Sequence, residues 1–266
     1  MAVIALTSAS GSPGVTTTAM GWALSRSRPT VLVDADPTGG SAMLAGYLRG
    51  QVVPPDALLD LWTAHQQGRL RAALPQVLLP LPGSSVGLLP GTRSHAQARG
   101  LAGLWEPLLA AFKALDGTGQ DVLVDTGRLG LAGFATPLLH GADLAVVACR
   151  SDLVSLSALR SWLATLHTEL ADVGGASSLG VVLVGPGRPY GRAEVDKVLA
   201  GACGGRSPVL GCVHWDPKAA AAFSAGTQVR RLEASRLVAS LRALDAAAVQ
   251  AMASTTADLS GTAART

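Results

Sequence analysis

Apolar residues along this chain fall into short continuous runs separated by longer stretches of helix-like periodicity. Val3-Ile4-Ala5-Leu6, Val31-Leu32-Val33, Val122-Leu123-Val124, Leu144-Ala145-Val146-Val147-Ala148, Leu179-Gly180-Val181-Val182-Leu183-Val184 and Val209-Leu210-Gly211-Cys212-Val213 are runs of the kind that form buried strands. Val77-Leu78-Leu79 and Val86-Gly87-Leu88-Leu89, on either side of Pro82-Gly83-Ser84-Ser85, read as two shorter strands. Thr18 to Leu24, residues 41–48, the segment from Leu58, residues 101–115, Ser155 to Ala171 and Ala193 to Leu199 read as helices. A C-terminal helix places Leu237, Leu241 and Leu244 on one face and carries Arg230, Arg231, Arg236 and Arg242. Such alternation predicts an α/β fold, a doubly wound and mostly parallel sheet flanked by helices. One domain is expected over residues 1–252, followed by a flexible C-terminal tail, residues 253–266, of small and polar residues.

The first apolar run leads into Ser8-Ala9-Ser10-Gly11-Ser12-Pro13-Gly14-Val15-Thr16-Thr17-Thr18 and then a helix. Strand, glycine-rich turn and helix start are the context of a phosphate-binding loop, G-x-x-x-x-G-K-[ST]. In that loop backbone N–H groups and the positive end of the helix hold the phosphates, lysine reaches their outer oxygens, and the hydroxyl meets Mg²⁺. Here Gly14 and Thr16 hold the last glycine and hydroxyl positions, Ala9 replaces the first glycine, and Val15 replaces the lysine. Pro13 removes one backbone donor from the cradle. The alternative is a plain strand-to-helix turn capped by Thr16 to Thr18. The only lysines are Lys113, Lys197 and Lys218, so a substitute cation would be Arg26, Arg28 or a residue brought in by the fold.

Two strands end in acids. Val31-Leu32-Val33-Asp34-Ala35-Asp36-Pro37 places Asp34 and Asp36 on one side of a strand tip, and Val122-Leu123-Val124-Asp125 closes on Asp125. Open parallel sheets bind ligands at this end, where an acid orients Mg²⁺ or water beside a phosphate. Taken singly, each is equally a turn former or helix cap.

Ser10-Gly11-Ser12-Pro13-Gly14-Val15-Thr16-Thr17 resembles the deviant Walker A loop of the ParA/MinD family, whose pattern is Lys-Gly-Gly-x-Gly-Lys-Thr-Thr. Val33-Asp34-Ala35-Asp36-Pro37 is similar to that family's second acidic motif, and Val122 to Asp125 to its Walker B strand. The resemblance spans roughly residues 2 to 250 and implies a P-loop fold in which ATP and Mg²⁺ sit between two copies of the chain. It implies that Gly11, Ser12, Gly14, Val15, Thr16 and Thr17 cradle the nucleotide and that Thr16 ligates the metal. It also implies that Asp34 positions the attacking water while Asp36 and Asp125 support metal and loop.

The departures from the pattern are as informative. Ser10 and Val15 stand where the family has lysines, Thr126-Gly127-Arg128 follows Walker B in place of a proline-containing turn, and Gly185-Pro186-Gly187-Arg188 lacks the adenine-reading asparagine. A charge-assisted hydrogen bond is worth about 1.5–3 kcal/mol, so weak or absent ATP binding and little hydrolysis are expected. Arg128 reads either as a replacement cation or as a solvated loop residue. The loop Trp215-Asp216-Pro217 lies where relatives pass near the base, or is a plain turn. Tolerance of altered loops is most similar to the TadZ/CpaE group, which implies a positioning or assembly scaffold with a protein partner in a pilus or secretion system. The alternative is an active partitioning switch, a homodimer that binds DNA nonspecifically.

The chain has 266 residues, 48% hydrophobic and 15% charged, enough for a substantial core. A net charge of +3 is a modest excess, and the arginines read as a solvated helix face or as nonspecific DNA contacts. No apolar stretch is long enough for a transmembrane segment, and no secretory signal is recognisable, so a cytoplasmic protein is expected. Cys149, Cys203 and Cys212 form no C-x-x-C pair, and the five histidines show no ligand spacing, which predicts reduced thiols and no zinc site. The final residues lack the basic and bulky apolar faces of a membrane-binding helix.

Overall fold

A computed structural model of the protein describes residues 1–11, 13–54, 56–172, 178–187, 189–202 and 208–263. Its strands are β1 (Val3–Ser8), β2 (Thr30–Asp34), β3 (Leu79–Pro80), β4 (Val86–Leu89), β5 (Asp121–Arg128), β6 (Leu144–Arg150), β7 (Ser178–Val184) and β8 (Val209–Val213). They form one eight-stranded sheet in the order β3-β4-β2-β5-β1-β6-β7-β8, parallel throughout except for the β3–β4 pair at the edge. The expected doubly wound sheet is therefore present.

Alternation along each strand splits the core in two. Val3, Ala5, Val31, Val33, Val122 and Val124 face one layer, which is filled by α2 (Ala57–Gln66), α3 (Leu70–Val77), α5 (Trp105–Lys113), α6 (Thr136–His140), α7 (Leu153–Asp172) and α8 (Arg192–Ala202), while α4 (His95–Gly100) lies between α3 and α5 in the chain. Ile4, Leu6, Leu32 and Leu123 face the other, filled by α1 (Val15–Ser25), α9 (Pro217–Ser224) and α10 (Arg236–Ala263). Strands buried on both faces need unbroken apolar runs, which is why those runs carried the signal.

Several local details differ from the sequence reading. Val77 ends a helix, and only Leu79 and Pro80 pair with β4, because Leu74 has a buried place beneath the sheet. The stretch 101–115 divides into a 3₁₀ turn at Ala102–Leu104 and α5. Met43–Tyr47 is a π-helical turn. Arg230 and Arg231 precede the C-terminal helix, which begins at Arg236 and continues past residue 252 to Ala263. Among the described residues no helix is long and apolar enough to cross a membrane.

Candidate functional site

The site forms where β1, β2 and β5 end. Gly14 takes φ 90° and ψ 38°, a left-handed conformation open to glycine, and starts α1 as its N-cap. The first intrahelical bond, Thr18 N–H to Gly14 O, is 2.8 Å, and no side chain caps the turn. The positive end of an eleven-residue helix is thus presented to the space above the loop. That space is a cavity of about 350 Å³ lined by Gly11, Gly14, Val15, Thr16, Thr17, Asp36, Gly127 and Arg128, among others. Ser12 lies outside the described residues.

The acids separate by depth. Asp36 lines the cavity, and its Oδ1 accepts from the Thr38 N–H at 2.9 Å. Asp34 does not line it: the side chain is buried, and Oδ2 accepts from the Ser41 hydroxyl at 2.6 Å. A Cβ at Gly91 would come 2.7 Å from the Asp34 Cγ, so the strand-like alternation expected for Asp34 and Asp36 does not put them on one exposed side. The reason is that β2 ends at Asp34, and Asp36 belongs to the loop beyond it. His95 Nδ1 lies 2.8 Å from the Pro37 carbonyl, tying that loop to α4.

Asp125 is fully buried beneath the loop. Its Oδ1 accepts from the Gly127 N–H at 2.9 Å, while Oδ2 has no hydrogen-bond partner among the described residues. Burial pushes Asp125 up to about 7, with Asp34 adding repulsion and hydrogen bonding from the Thr16 hydroxyl and the Gly127 N–H working the other way. Burial likewise pushes Asp34 up to about 6, against the stabilising Ser41 bond. Both shifts mark carboxylates with too little positive charge nearby.

Gly127 occupies φ 69°, and a Cβ there would lie 2.5 Å from the Asp36 Cγ, so the turn after Asp125 requires glycine. The β1–β5 register shifts at this point, from Leu6 opposite Asp125 to Ser8 opposite Arg128. Thr126 Oγ1 donates to the Leu6 carbonyl at 3.1 Å and Thr7 Oγ1 to the Gly127 carbonyl at 3.1 Å, pinning the irregular stretch.

A second cavity of about 270 Å³ adjoins the loop, lined by Pro13, Gly14, Thr17, Arg150, Val184 and Trp215, among others. The Arg150 guanidinium stands 5.0 Å from the centre of the Trp215 ring. Asp216 caps α9, its Oδ1 accepting from the Ala219 N–H at 3.0 Å, which holds the Trp215 loop in place. Sequence reasoning placed Trp215 near a ligand but passed over Arg150. The available signal was its position, ending an apolar strand as Asp34 and Asp125 do.

Of the arginines offered from sequence as a lysine substitute, Arg128 lines the loop cavity, whereas Arg26 and Arg28 do not reach it. Arg26 Nη2 pairs with Asp121 Oδ2 at 2.7 Å and Arg28 Nε with the same oxygen at 3.2 Å, at the opposite end of the sheet. Among the described residues no group of three or more His, Cys, Asp or Glu side chains is placed to hold a metal ion by itself.

No protein-family model matches the chain, and no curated protein sequence matches it. Solved structures do. The MinD septum site-determining protein of Pyrococcus horikoshii with Mg-ADP is 20% identical at a TM-score of 0.67, covering 91% of this chain and 93% of its own. The ATP complex of a Cyanothece McdA variant is 19% identical at 0.71, covering 93% and 96%. A ParA family ATPase from Chlorobium tepidum is 16% identical at 0.70, covering 92% and 98%. Nearly complete mutual coverage leaves no large insertion on either side, and with the parallel sheet and glycine-started α1 described above, this chain has the fold of the MinD and ParA ATPases.

Proposed function

We propose that the protein is a MinD/ParA-like positioning or assembly scaffold whose nucleotide site keeps its cradle but has lost its lysines. Mg-nucleotide then binds weakly, and hydrolysis is slow or absent. One observation carries the reading: Gly14, the uncapped start of α1 and the buried Asp125 Oδ2, which has no hydrogen-bond partner among the described residues, are arranged for a phosphate and a cation, while no lysine lines the cavity.

The residues present fit Mg²⁺. A buried carboxylate oxygen without a partner, beside the Thr16 hydroxyl, is a hard-oxygen donor set, and phosphate and water oxygens complete the shell of such a site. Bound there, Mg²⁺ neutralises charge on the phosphates. The amides of the first turn of α1 hold the phosphate oxygens, and the cavity beneath Trp215 takes the base. Water orientation belongs to Asp36, which faces the cavity, rather than to Asp34, which is sealed against Gly91 and Ser41. With Val15 and Ser10 in the lysine positions, no lysine is there to neutralise the charge that builds up in phosphoryl transfer. A role beside a pilus or secretion machine, with a protein partner there, follows from the resemblance to the TadZ/CpaE group. Homodimerisation follows from the wider family pattern.

Calorimetry with Mg-ATP tests the proposal. Binding weaker than micromolar, with no turnover above background, is expected. Micromolar binding with measurable hydrolysis, accompanied by ATP-dependent dimers on gel filtration, would establish instead the active partitioning switch. Val15→Lys restores the missing cation and is expected to tighten Mg-ATP binding about ten- to hundred-fold, the value of one charge-assisted hydrogen bond.

A further inference from the structure

The chain departs from the Walker B pattern by an irregularity whose result is to aim an arginine. Between Leu6 and Ser8 the β1–β5 pairing slips by one residue, so β5 carries an extra residue, with Gly127 in the left-handed region at φ 69°. A bulge of this kind breaks the alternation of side chains and re-aims the one that follows. The re-aimed residue is Arg128. It lies opposite Ser8, is solvent-accessible, and lines the loop cavity with Gly14, Thr16, Thr17 and Asp36.

Several other cations are held elsewhere, and apart from Arg128 none of the described ones lines this cavity. Arg26 and Arg28 share Asp121 at the far end of the sheet, Arg93 pairs with Asp56, Arg192 with Asp196 and Arg242 with Glu233. Lys113, Lys197 and Lys218 sit on α5, α8 and α9, outside the cavity lining. Arg150 belongs to the neighbouring cavity, against Trp215. Among the described residues Arg128 has no ion-pair partner and is the one cation lining the loop cavity. On the same strand, Asp125 Oδ2 is buried without a partner among the described residues, an independent sign that the site is built around charge it does not itself supply.

We infer that Arg128 grips the outer phosphate oxygens of a bound nucleotide, replacing from the end of β5 the charge that Val15 withholds at the start of α1. This rests on the nucleotide reading above. A guanidinium suits the task, because its planar fork meets two phosphate oxygens at once and it stays charged at any working pH. Its reach differs from that of a loop lysine, since it approaches from the β5 side of the cradle rather than from within it. The site therefore selects for the length of the phosphate chain: triphosphate and diphosphate engage Arg128, while adenosine does not.

The experiment measures binding of Mg-ATP, Mg-ADP and adenosine by tryptophan fluorescence and calorimetry, for the unaltered chain and for Arg128→Ala, Arg128→Lys and Arg128→Ala with Val15→Lys. Arg128→Ala is expected to weaken Mg-ATP about ten- to hundred-fold and to leave adenosine and the thermal midpoint of the free protein unchanged. Arg128→Lys should retain more affinity than alanine, and Val15→Lys should restore binding in the Arg128→Ala background. Equal Mg-ATP affinity in Arg128→Ala and the unaltered chain overturns the role of Arg128 while leaving the nucleotide reading intact. So does an equal loss for Mg-ATP and adenosine, which would mark a general structural defect. If the unaltered chain binds none of the three ligands at millimolar concentration, the nucleotide reading falls and this inference with it.

Discussion

Strand β5 carries two aspartates, one at its start and one where its regular pairing with β1 stops, and the two have different surroundings. Asp121 opens the strand and is held by Arg26, whose side chain is 1% exposed, by the Arg28 guanidinium, and by the Ala2 N–H at 2.9 Å. Asp125 lies near the other end, equally buried, with one oxygen unpaired and Asp34 close enough to repel it. At the Asp121 end the charges are matched inside the chain, although Arg26 Nε and Nη1 make no hydrogen bond among the described residues, and α1 is tied to α10 by the Trp22 Nε1–H donating to Asp245 Oδ1 at 2.9 Å. The Asp125 end is left incomplete. The difference separates a joint that serves stability from a site that awaits something from outside.

The largest effect should come from unbalancing the matched end. Arg26→Ala leaves Asp121 and Asp245 facing each other without their shared cation, and should cost about 3–5 kcal/mol in denaturant unfolding. Arg28→Ala removes a half-exposed partner of the same carboxylate and should cost less than about 1 kcal/mol. If the two variants unfold alike, the distinction between buried joint and surface contact is wrong.

The incomplete end should respond the other way, through pH. Asp125 is raised in the folded state from 3.8 to about 7, so the folded chain binds more protons than the unfolded one across that interval. Stability on its account is fully present below about pH 4 and is lost as pH rises to about 7, a loss of a few kcal/mol. Asp125→Asn should flatten this slope, leave the free protein more stable at neutral pH, and weaken Mg-nucleotide binding. Thermal melts from pH 4 to 8 with and without Mg-ADP check all three, and an unchanged slope in the variant would remove the case for an uncompensated acid.

The smallest effect is expected at the second cavity. Trp215 is 39% exposed and stacked under Arg150, a partly solvated cation–π contact worth about 0.5–1 kcal/mol. Trp215→Ala should leave the melting midpoint nearly unchanged and weaken adenosine a few-fold, read by displacement calorimetry. Full adenosine affinity in the variant would detach this cavity from the base.

The sheet was legible because its strands are buried on both faces, which imposes unbroken apolar runs such as Leu144-Ala145-Val146-Val147 in β6. The loop and Asp125 were legible for a related reason: the turn from β1 to α1 needs Gly14, and a buried strand has few places for an acid other than its tip. What sequence could not separate was depth. Asp34 and Asp36 lie two residues apart and look equivalent, yet one is sealed by Ser41 and Gly91 while the other faces the cavity. Nor could it separate the ends of α1. Arg26 follows the loop by about a dozen residues, and a helix of that length, rising about 1.5 Å per residue, carries it to the far side of the sheet. Short helices such as α4, α6 and α9 escaped notice because one or two turns hold too few apolar positions to show a period.

Gly21 sits halfway along α1, and a methyl there would lie 2.9 Å from both Leu241 Cδ1 of α10 and Phe223 Cδ2 of α9. The three helices are therefore in contact without slack, and a tilt of the first has to be followed by the others. The helix whose start faces the loop cavity is thereby braced partway along its length, by Phe223 and Leu241 at Gly21 and by the Trp22–Asp245 bond at the next residue.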